Sequence, residues 1–411
     1  MQKRNRLISL ILIILFVLTA CATPKALPEL PTPSIARHSR ALDYSWINQH
    51  PSSVPTFDPD STDPFLYDFR SSYLSDLDFT DSFNVLDRAD FDSNTTWPPS
   101  EKLPAGFSPD QVMELGKDPG LGIHTLHEEG ITGKGIGIAI IDQTPLVDHE
   151  EYVNQIQIFE DGDGMAGTLF GTSMHGPAVA SIAVGKTVGV APDADLYFIA
   201  EGDCHRAFEK TNKTDFTCLA KDILRVIEIN QSLPEDRKIR VLSMSIGWGP
   251  KNTGYAEITD AVEKAKEAGI FVVSSSISET YGFHFQGMGR EATSDPNDFS
   301  SYLPGSWWAD LYYSDEIKLD QTLLIPMDAR TTASPTGLDD YVHYGQGGWS
   351  WSIPYIAGMY ALACQVNPKI TPDKFWAAAL KTGKTIQVEH DGKQYSFGVI
   401  LDPQALLKKI K

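Results

Sequence analysis

The sequence predicts an α/β fold, a mostly parallel sheet with helices on both of its faces. Three observations carry that prediction. The first is a set of short apolar runs at residues 136–141, 194–200, 239–243 and 270–275, without the polar alternation of a half-exposed strand. Strands covered on both faces read this way, and such burial is typical of parallel sheets. The second is that helical patterns at 176–184, 219–229 and 255–268 lie between those runs, so strand and helix alternate along the chain. The third is size and composition. With 411 residues, 42% hydrophobic and 21% charged, the chain can bury the core of one large domain and still carry extra segments.

In chain order, the address comes first. Lys3, Arg4 and Arg6 precede an uncharged apolar stretch, 8–18, and Leu18-Thr19-Ala20-Cys21 follows at once. The stretch is short for a spanning helix, and a cysteine directly after a small residue fits processing. This resembles the lipobox of bacterial lipoproteins, which implies that the Cys21 thiol takes a diacylglycerol and becomes the new N-terminus. Residues 1–20 are then a signal peptide. Residues 21–65, rich in Pro, Ser, Thr and Asp without periodicity, are read as the acylated cysteine and a flexible spacer. The expected location is a bacterial cell membrane, reached through lipidated Cys21, with the folded part outside the cytoplasm. Residues 66–104 carry a faint five-residue spacing, Phe69, Leu74 and Phe79, then Leu86 and Phe91. So few turns would not stand alone, and this extension is expected to pack on the main domain, 105–411. That domain opens with helical patterns at 108–115 and 122–129 and the loop Gly130-Ile131-Thr132-Gly133-Lys134-Gly135.

Charge and cysteines narrow the function. Thirty-four basic against 54 acidic residues give a net charge of −20, which argues against nucleic acid or an anionic membrane surface as main partner. Of the four cysteines, Cys204 and Cys218 flank a polar stretch and could close a short disulfide in an oxidising compartment. Cys364 sits in an apolar stretch and is expected to be a buried, inert thiol. His124 and His127 share a helix face but have no third ligand, so no metal site is assigned.

Three residues occupy boundaries of the kind where an α/β sheet presents its site. Asp142 ends the first strand, and His175 opens the helix that follows it. Ser350 lies after Gly347-Gly348, just ahead of an apolar helix at 356–363 with Pro354 in its first turn. A hydroxyl there is close to unpaired backbone donors and the positive end of the helix dipole. Serine becomes a nucleophile when a neutral imidazole takes its proton and a carboxylate holds that imidazole in the right tautomer.

The flanking residues sharpen this. The segments Gly133-Lys134-Gly135-Ile136-Gly137-Ile138-Ala139-Ile140-Ile141-Asp142, His175-Gly176-Pro177-Ala178-Val179-Ala180 with Gly189-Val190-Ala191-Pro192, and Gly348-Trp349-Ser350-Trp351-Ser352-Ile353-Pro354 resemble the three motifs of the subtilisin-like serine peptidases, the subtilase family. The order Asp, His, Ser is also that of subtilisin. The resemblance spans about residues 110–405. It implies a subtilisin-like three-layer fold and a catalytic triad of Asp142, His175 and Ser350. It also implies a substrate-binding edge at Ser245, Ile246 and Gly247, where an extended protein or peptide substrate would add as a strand.

Several features depart from the family pattern, among them Gln143-Thr144 where Thr/Ser-Gly usually follows the Asp, and Pro177 in the histidine motif. The strand 269–278 ends in Ile277-Ser278 where the family has the Gly-Asn pair whose amide serves the oxyanion. Ser278 is read as its replacement, beside the Ser350 N–H, and in subtilisin itself loss of such a donor costs about 10²–10³ in turnover. Trp349, Trp351 and Tyr355 are bulky neighbours of the nucleophile, and the indoles are expected to narrow or cap the site. No cofactor is required. Bound calcium is common in the family and acidic loops such as Glu160-Asp161-Gly162-Asp163 exist, but no ligand positions can be matched. The expected function is a membrane-anchored, extracytoplasmic serine endopeptidase working through an acyl-enzyme. The alternative is a catalytically weak or inactive subtilase-fold lipoprotein that binds peptides.

Overall fold

Strand β3 (Gly137–Asp142), buried along its whole length, lies inside a six-stranded sheet of order β1-β4-β5-β3-β6-β7. Its partners are β1 (Ser34–Ile35), β4 (Ile156–Asp161), β5 (Asp195–Ala200), β6 (Ile239–Met244) and β7 (Phe271–Ser274), and every pairing is parallel. The computed structural model describes residues 33–44, 50–59, 61, 63, 66–162, 171–201 and 215–411. Cys21 and Cys204 lie outside the described residues, as does the signal-peptide segment. Cys218 is disulfide-bonded, and Cys364 is a buried free thiol whose pKa burial pushes up to about 12.

Alternation along β3 decides the layers, because successive side chains of a strand point to opposite faces. Ile138 and Ile140 enter one core together with residues of the helices His175–Val184 and Trp349–Val366. Ala139 and Ile141 enter a second core with residues of the helices Thr217–Ser232 and Tyr255–Glu267. Helices therefore cover both faces, giving the three-layer α/β arrangement.

Two smaller sheets complete the framework. One runs β13-β14-β10-β8-β9, from β8 (His284–Arg290), β9 (Tyr302–Pro304), β10 (Thr322–Pro326) and the hairpin β13 (Lys384–His390) with β14 (Lys393–Ile400). The other is antiparallel and runs β11-β12-β2, from β11 (Arg330–Ala333), β12 (Tyr341–Tyr344) and β2 (Phe91–Asp92). The extension thus contributes a strand to the main domain. The apolar residues of its five-residue spacing, Phe69, Leu74, Phe79, Leu86 and Phe91, are all buried in one cluster with Leu103, Phe107, Val112 and Ala292.

The structure corrects the extent of the spacer. Residues 34–35 add as β1 to the edge of the central sheet, and Arg37 holds Asp161 through its Nε at 2.9 Å and its Nη2 at 2.8 Å. Beyond it the Leu42 N–H donates to the Pro335 carbonyl at 2.8 Å. His38 Nδ1 also lies 2.8 Å from Asp148, so this docking is main-chain pairing and charged side-chain contacts, which a Pro- and Ser-rich composition does not reveal. Among the described residues no helix is long and apolar enough to cross a membrane.

Candidate active site

The end of β3 and the start of the helix His175–Val184 meet at close range. His175 Nδ1 lies 2.5 Å from Asp142 Oδ1, and the Gln143 N–H donates to the same oxygen at 2.7 Å. Gly176 makes this approach possible: a Cβ there would meet the Gln143 carbonyl oxygen at 2.2 Å and the Thr144 carbonyl oxygen at 2.7 Å. The Ser173 hydroxyl accepts from the N–H groups of His175 and Gly176, at 3.2 and 3.1 Å, and so anchors the first turn. Pro177 sits in that turn, where its missing N–H costs little.

Burial pulls the His175 pKa down, but the charge and hydrogen bond of Asp142, with a smaller push from Glu201, outweigh it and leave the imidazole above its ordinary 6.5. Glu201 escaped the sequence reading. It follows β5 directly, and its N–H donates to the Asp142 carbonyl at 2.8 Å. Burial and the nearby Asp142 push its carboxyl up to about 8. The signal that could have found it is register: Ala200 pairs with Asp142, so the next residue must emerge beside the acid.

Ser350 shares a cavity of about 750 Å³ with His175. Trp307, Trp349, Trp351, Tyr344 and Ser306 line it from the main domain, and Asp63, Arg70, Arg88 and Asp90 from the N-terminal side. Among the described residues the hydrogen bond of the His175 side chain is the one to Asp142, so no bond yet joins it to the Ser350 hydroxyl. Such contacts are often loose before substrate binds. Trp351 is buried, with its ring centroid 5.4 Å from that of His175, while Trp349 forms a wall with Trp307 and Phe285.

The nucleophile segment differs in detail from expectation. The helix begins at Trp349 with Gly348 as N-cap, so Ser350 is its second residue rather than a residue ahead of it. Its N–H therefore belongs to the first turn, where backbone donors have no intrahelical acceptor. Pro354 sits a turn further in, as an interior residue of the helix. It has no N–H to give the carbonyl four residues back, which is that of Ser350. The Ser245 hydroxyl takes that place, donating to the Ser350 carbonyl at 3.1 Å. This buried apolar helix thus tolerates its proline through a side chain from just beyond the end of β6.

The loop before Ser350 is fixed from two sides. Asp328, buried, accepts from the Gly347 N–H at 2.7 Å and the Ser306 N–H at 2.8 Å. Burial pushes its carboxyl up to about 6 against those bonds. From the extension, Asp90 accepts from the Gly345 N–H at 3.1 Å. Gly347 permits the close pass, since a Cβ there would meet the Met327 carbonyl oxygen at 2.3 Å.

The remaining expected site residues are placed as follows. Ser245, Ile246 and Gly247 follow β6 beside the nucleophile. The Ile246 carbonyl accepts from the Ser275 N–H at 3.1 Å, and Gly247 is exposed. Ser278 is exposed in the short helix Ile277–Tyr281 and lines a second, smaller cavity on the far side of Trp349. The structure does not bring it into the cavity of His175 and Ser350. Glu160 and Asp161 are engaged by Arg225 and Arg37, and His127 Nε2 donates to the Val190 carbonyl at 2.9 Å. Among the described residues no group of three or more His, Cys, Asp or Glu is arranged to hold a metal ion.

The family model described as "Subtilase family" matches residues 133–309, which include Asp142 and His175 and end before Ser350. Over that span the chain is similar to the subtilase family. Subtilases are serine-type peptidases, hydrolases whose substrate class is protein or peptide. Among relatives, "Serine protease AprX" of Bacillus subtilis (strain 168) is 24% identical over 305 residues, covering 66% of each chain, so this chain spans just under two thirds of that relative's length. Similar solved structures include the prenylagaramide maturation protease PagA (TM-score 0.47, 15% identity, 71% of this chain and 98% of that one). The PatG macrocyclase domain is another (TM-score 0.46, 14% identity, 70% of this chain and 94% of that one).

Proposed function

We propose that this chain is a serine endopeptidase using Asp142, His175 and Ser350, tethered to a bacterial membrane through acylated Cys21 with its catalytic domain outside the cytoplasm. The observation that carries the catalytic part is the His175–Asp142 contact at 2.5 Å opening onto the cavity that Ser350 lines. Asp142 fixes the tautomer with the proton on Nδ1, which leaves Nε2 to accept the Ser350 proton. Ser350 Oγ then bonds to the scissile carbonyl carbon, and the carbonyl π pair moves onto oxygen. The Ser350 N–H at the helix start donates to that oxyanion. As the C–N bond breaks, His175 returns its proton to the leaving amine, and an acyl-enzyme remains on Ser350. Water, deprotonated by His175, hydrolyses it.

The absence of an amide side chain in the position of Ser278 favours the second reading, a weak or inactive peptide-binding lipoprotein. One experiment separates the two. A fluorophosphonate probe should label Ser350 in the purified chain, Ser350→Ala should abolish labelling, and the unmodified protein should cleave a mixed peptide pool. Labelling that survives Ser350→Ala would reject the proposed nucleophile; binding of peptides without any cleaved bond would favour the second reading. For the tether, metabolic labelling with a fatty acid should mark the chain and be lost in Cys21→Ser.

A further inference from the structure

Trp349 divides two cavities. On one side lie His175 and Ser350; on the other is a cavity of about 220 Å³. The second cavity adjoins the segment read as the substrate edge: Ser275 lines it and donates its N–H to the Ile246 carbonyl, and a Cβ on Gly247 would meet the Ser275 Cβ at 3.1 Å. A peptide lying along that edge with a carbonyl at Ser350 would therefore have a neighbouring side chain within reach of this cavity.

The lining has two parts. Ile277, Phe283, Phe285 and Trp349 supply apolar wall, suited to a methylene stem. The polar part consists of the Lys318 ammonium, the His284 ring, the Gln286 amide and hydroxyls, with no carboxylate among the lining residues. In a chain of net charge −20 this is an unusual local balance. Gln286 is oriented, because its Oε1 accepts from Trp349 Nε1 at 3.0 Å. Lys318 pairs with Asp315, but both are well exposed, at 62% and 80%. Exposed pairs of this kind contribute little and exchange readily for a better acceptor.

We propose that this cavity receives the side chain of a substrate residue close to the scissile bond and selects a carboxylate, with Lys318 as the specificity-determining residue. The proposal rests on the peptidase reading for its substrate class. A carboxylate leaving water would gain a charge-assisted contact to Lys318, while its stem packs on Trp349 and the phenylalanines. A neutral amide of the same shape keeps the packing and loses the charge term.

The test uses the full chain carrying Ser350→Ala, so that binding is read without turnover. Matched peptides differing at one position as Glu, Gln, Lys or Leu are titrated calorimetrically, position by position. One position should prefer Glu over Gln by about threefold, with the preference shrinking at high salt. Lys318→Gln should flatten it, and Lys318→Glu should turn it toward Lys. No position separating Glu from Gln, a preference for Leu, or a Glu preference that survives both substitutions would each overturn the proposal. Hydrolysis of the same peptides by the Ser350 form is the second arm. Charge-selective binding without hydrolysis would sink the peptidase reading and keep the pocket, whereas hydrolysis without a Glu preference would sink the pocket alone.

Discussion

Ser245 and Pro354 form a compensating pair, and the pairing can be measured. In Ser245→Ala the Ser350 carbonyl loses its hydroxyl donor, and Pro354 offers no N–H in exchange. Stripping a buried acceptor of its donor costs about 1–3 kcal/mol. Ser350 is only half-buried, so water can replace part of the loss, and the lower end, about 1 kcal/mol, is expected. In a Pro354→Ala background the helix gains an N–H aimed at the same carbonyl, and Ser245→Ala should then cost close to nothing. The double-mutant cycle read by urea unfolding should give a coupling energy of about 1 kcal/mol. The rate of fluorophosphonate labelling should fall several-fold in Ser245→Ala and recover in the double variant, because the same bond holds the first turn that carries the nucleophile. Costs that simply add, within about 0.4 kcal/mol, would refute the pairing.

Two further predictions concern ionisation. Hydrolysis should decline as pH falls through the His175 pKa, above 6.5, because imidazolium cannot take the Ser350 proton. Asp142→Asn should leave burial as the main influence on the ring, move that inflection below 6.5 and reduce kcat by about 10⁴; an unmoved inflection would contradict the assigned contact. Asp328 has its folded pKa raised from 3.8 to about 6, so the stability it contributes is present below the lower value and lost as pH rises through the upper one, a change of about 3 kcal/mol. The amide of Asp328→Asn would not titrate, so the stability of the parent relative to Asp328→Asn should be greatest near pH 4 and fall by pH 8. A gap in urea stability that stays constant across that range would count against the reading.

How much of this was legible in the chain itself depends on the kind of signal. The continuous apolar runs of β3, β5, β6 and β7 were visible because burial on both faces removes alternation. The helix at His175–Val184 was visible because its partners are apolar almost all round. Strand β4 was not, since its burial alternates irregularly and it ends in Glu160 and Asp161, whose charges are met by arginines distant in sequence. The hairpin of β13 and β14, mostly exposed, carries too little apolar patterning to be read. The residues at the site divide in the same way. Asp142, His175 and Ser350 stand in local motifs, whereas Glu201, Asp328 and Asp90 act through register and burial, which only the folded chain defines.

The extension shows why a domain boundary drawn on composition can mislead about mechanism. Residues 66–104 bury their apolar side chains in a cluster shared with Phe107, Val112 and Ala292, β2 pairs with β12, Asp90 binds the Gly345 N–H, and Arg70, Arg88 and Asp90 help line the cavity that holds His175 and Ser350. Each fully buried aliphatic or aromatic side chain contributes about 1.5–3 kcal/mol relative to exposure. Loss of this segment would expose the faces of the main domain against which Phe91 and Leu103 pack, and would remove one of the two carboxylates that hold the loop ahead of the nucleophile. A covering piece could be shed without altering what lies beneath it. This one supplies a strand, an anchor and a wall, and so belongs to the unit that positions Ser350.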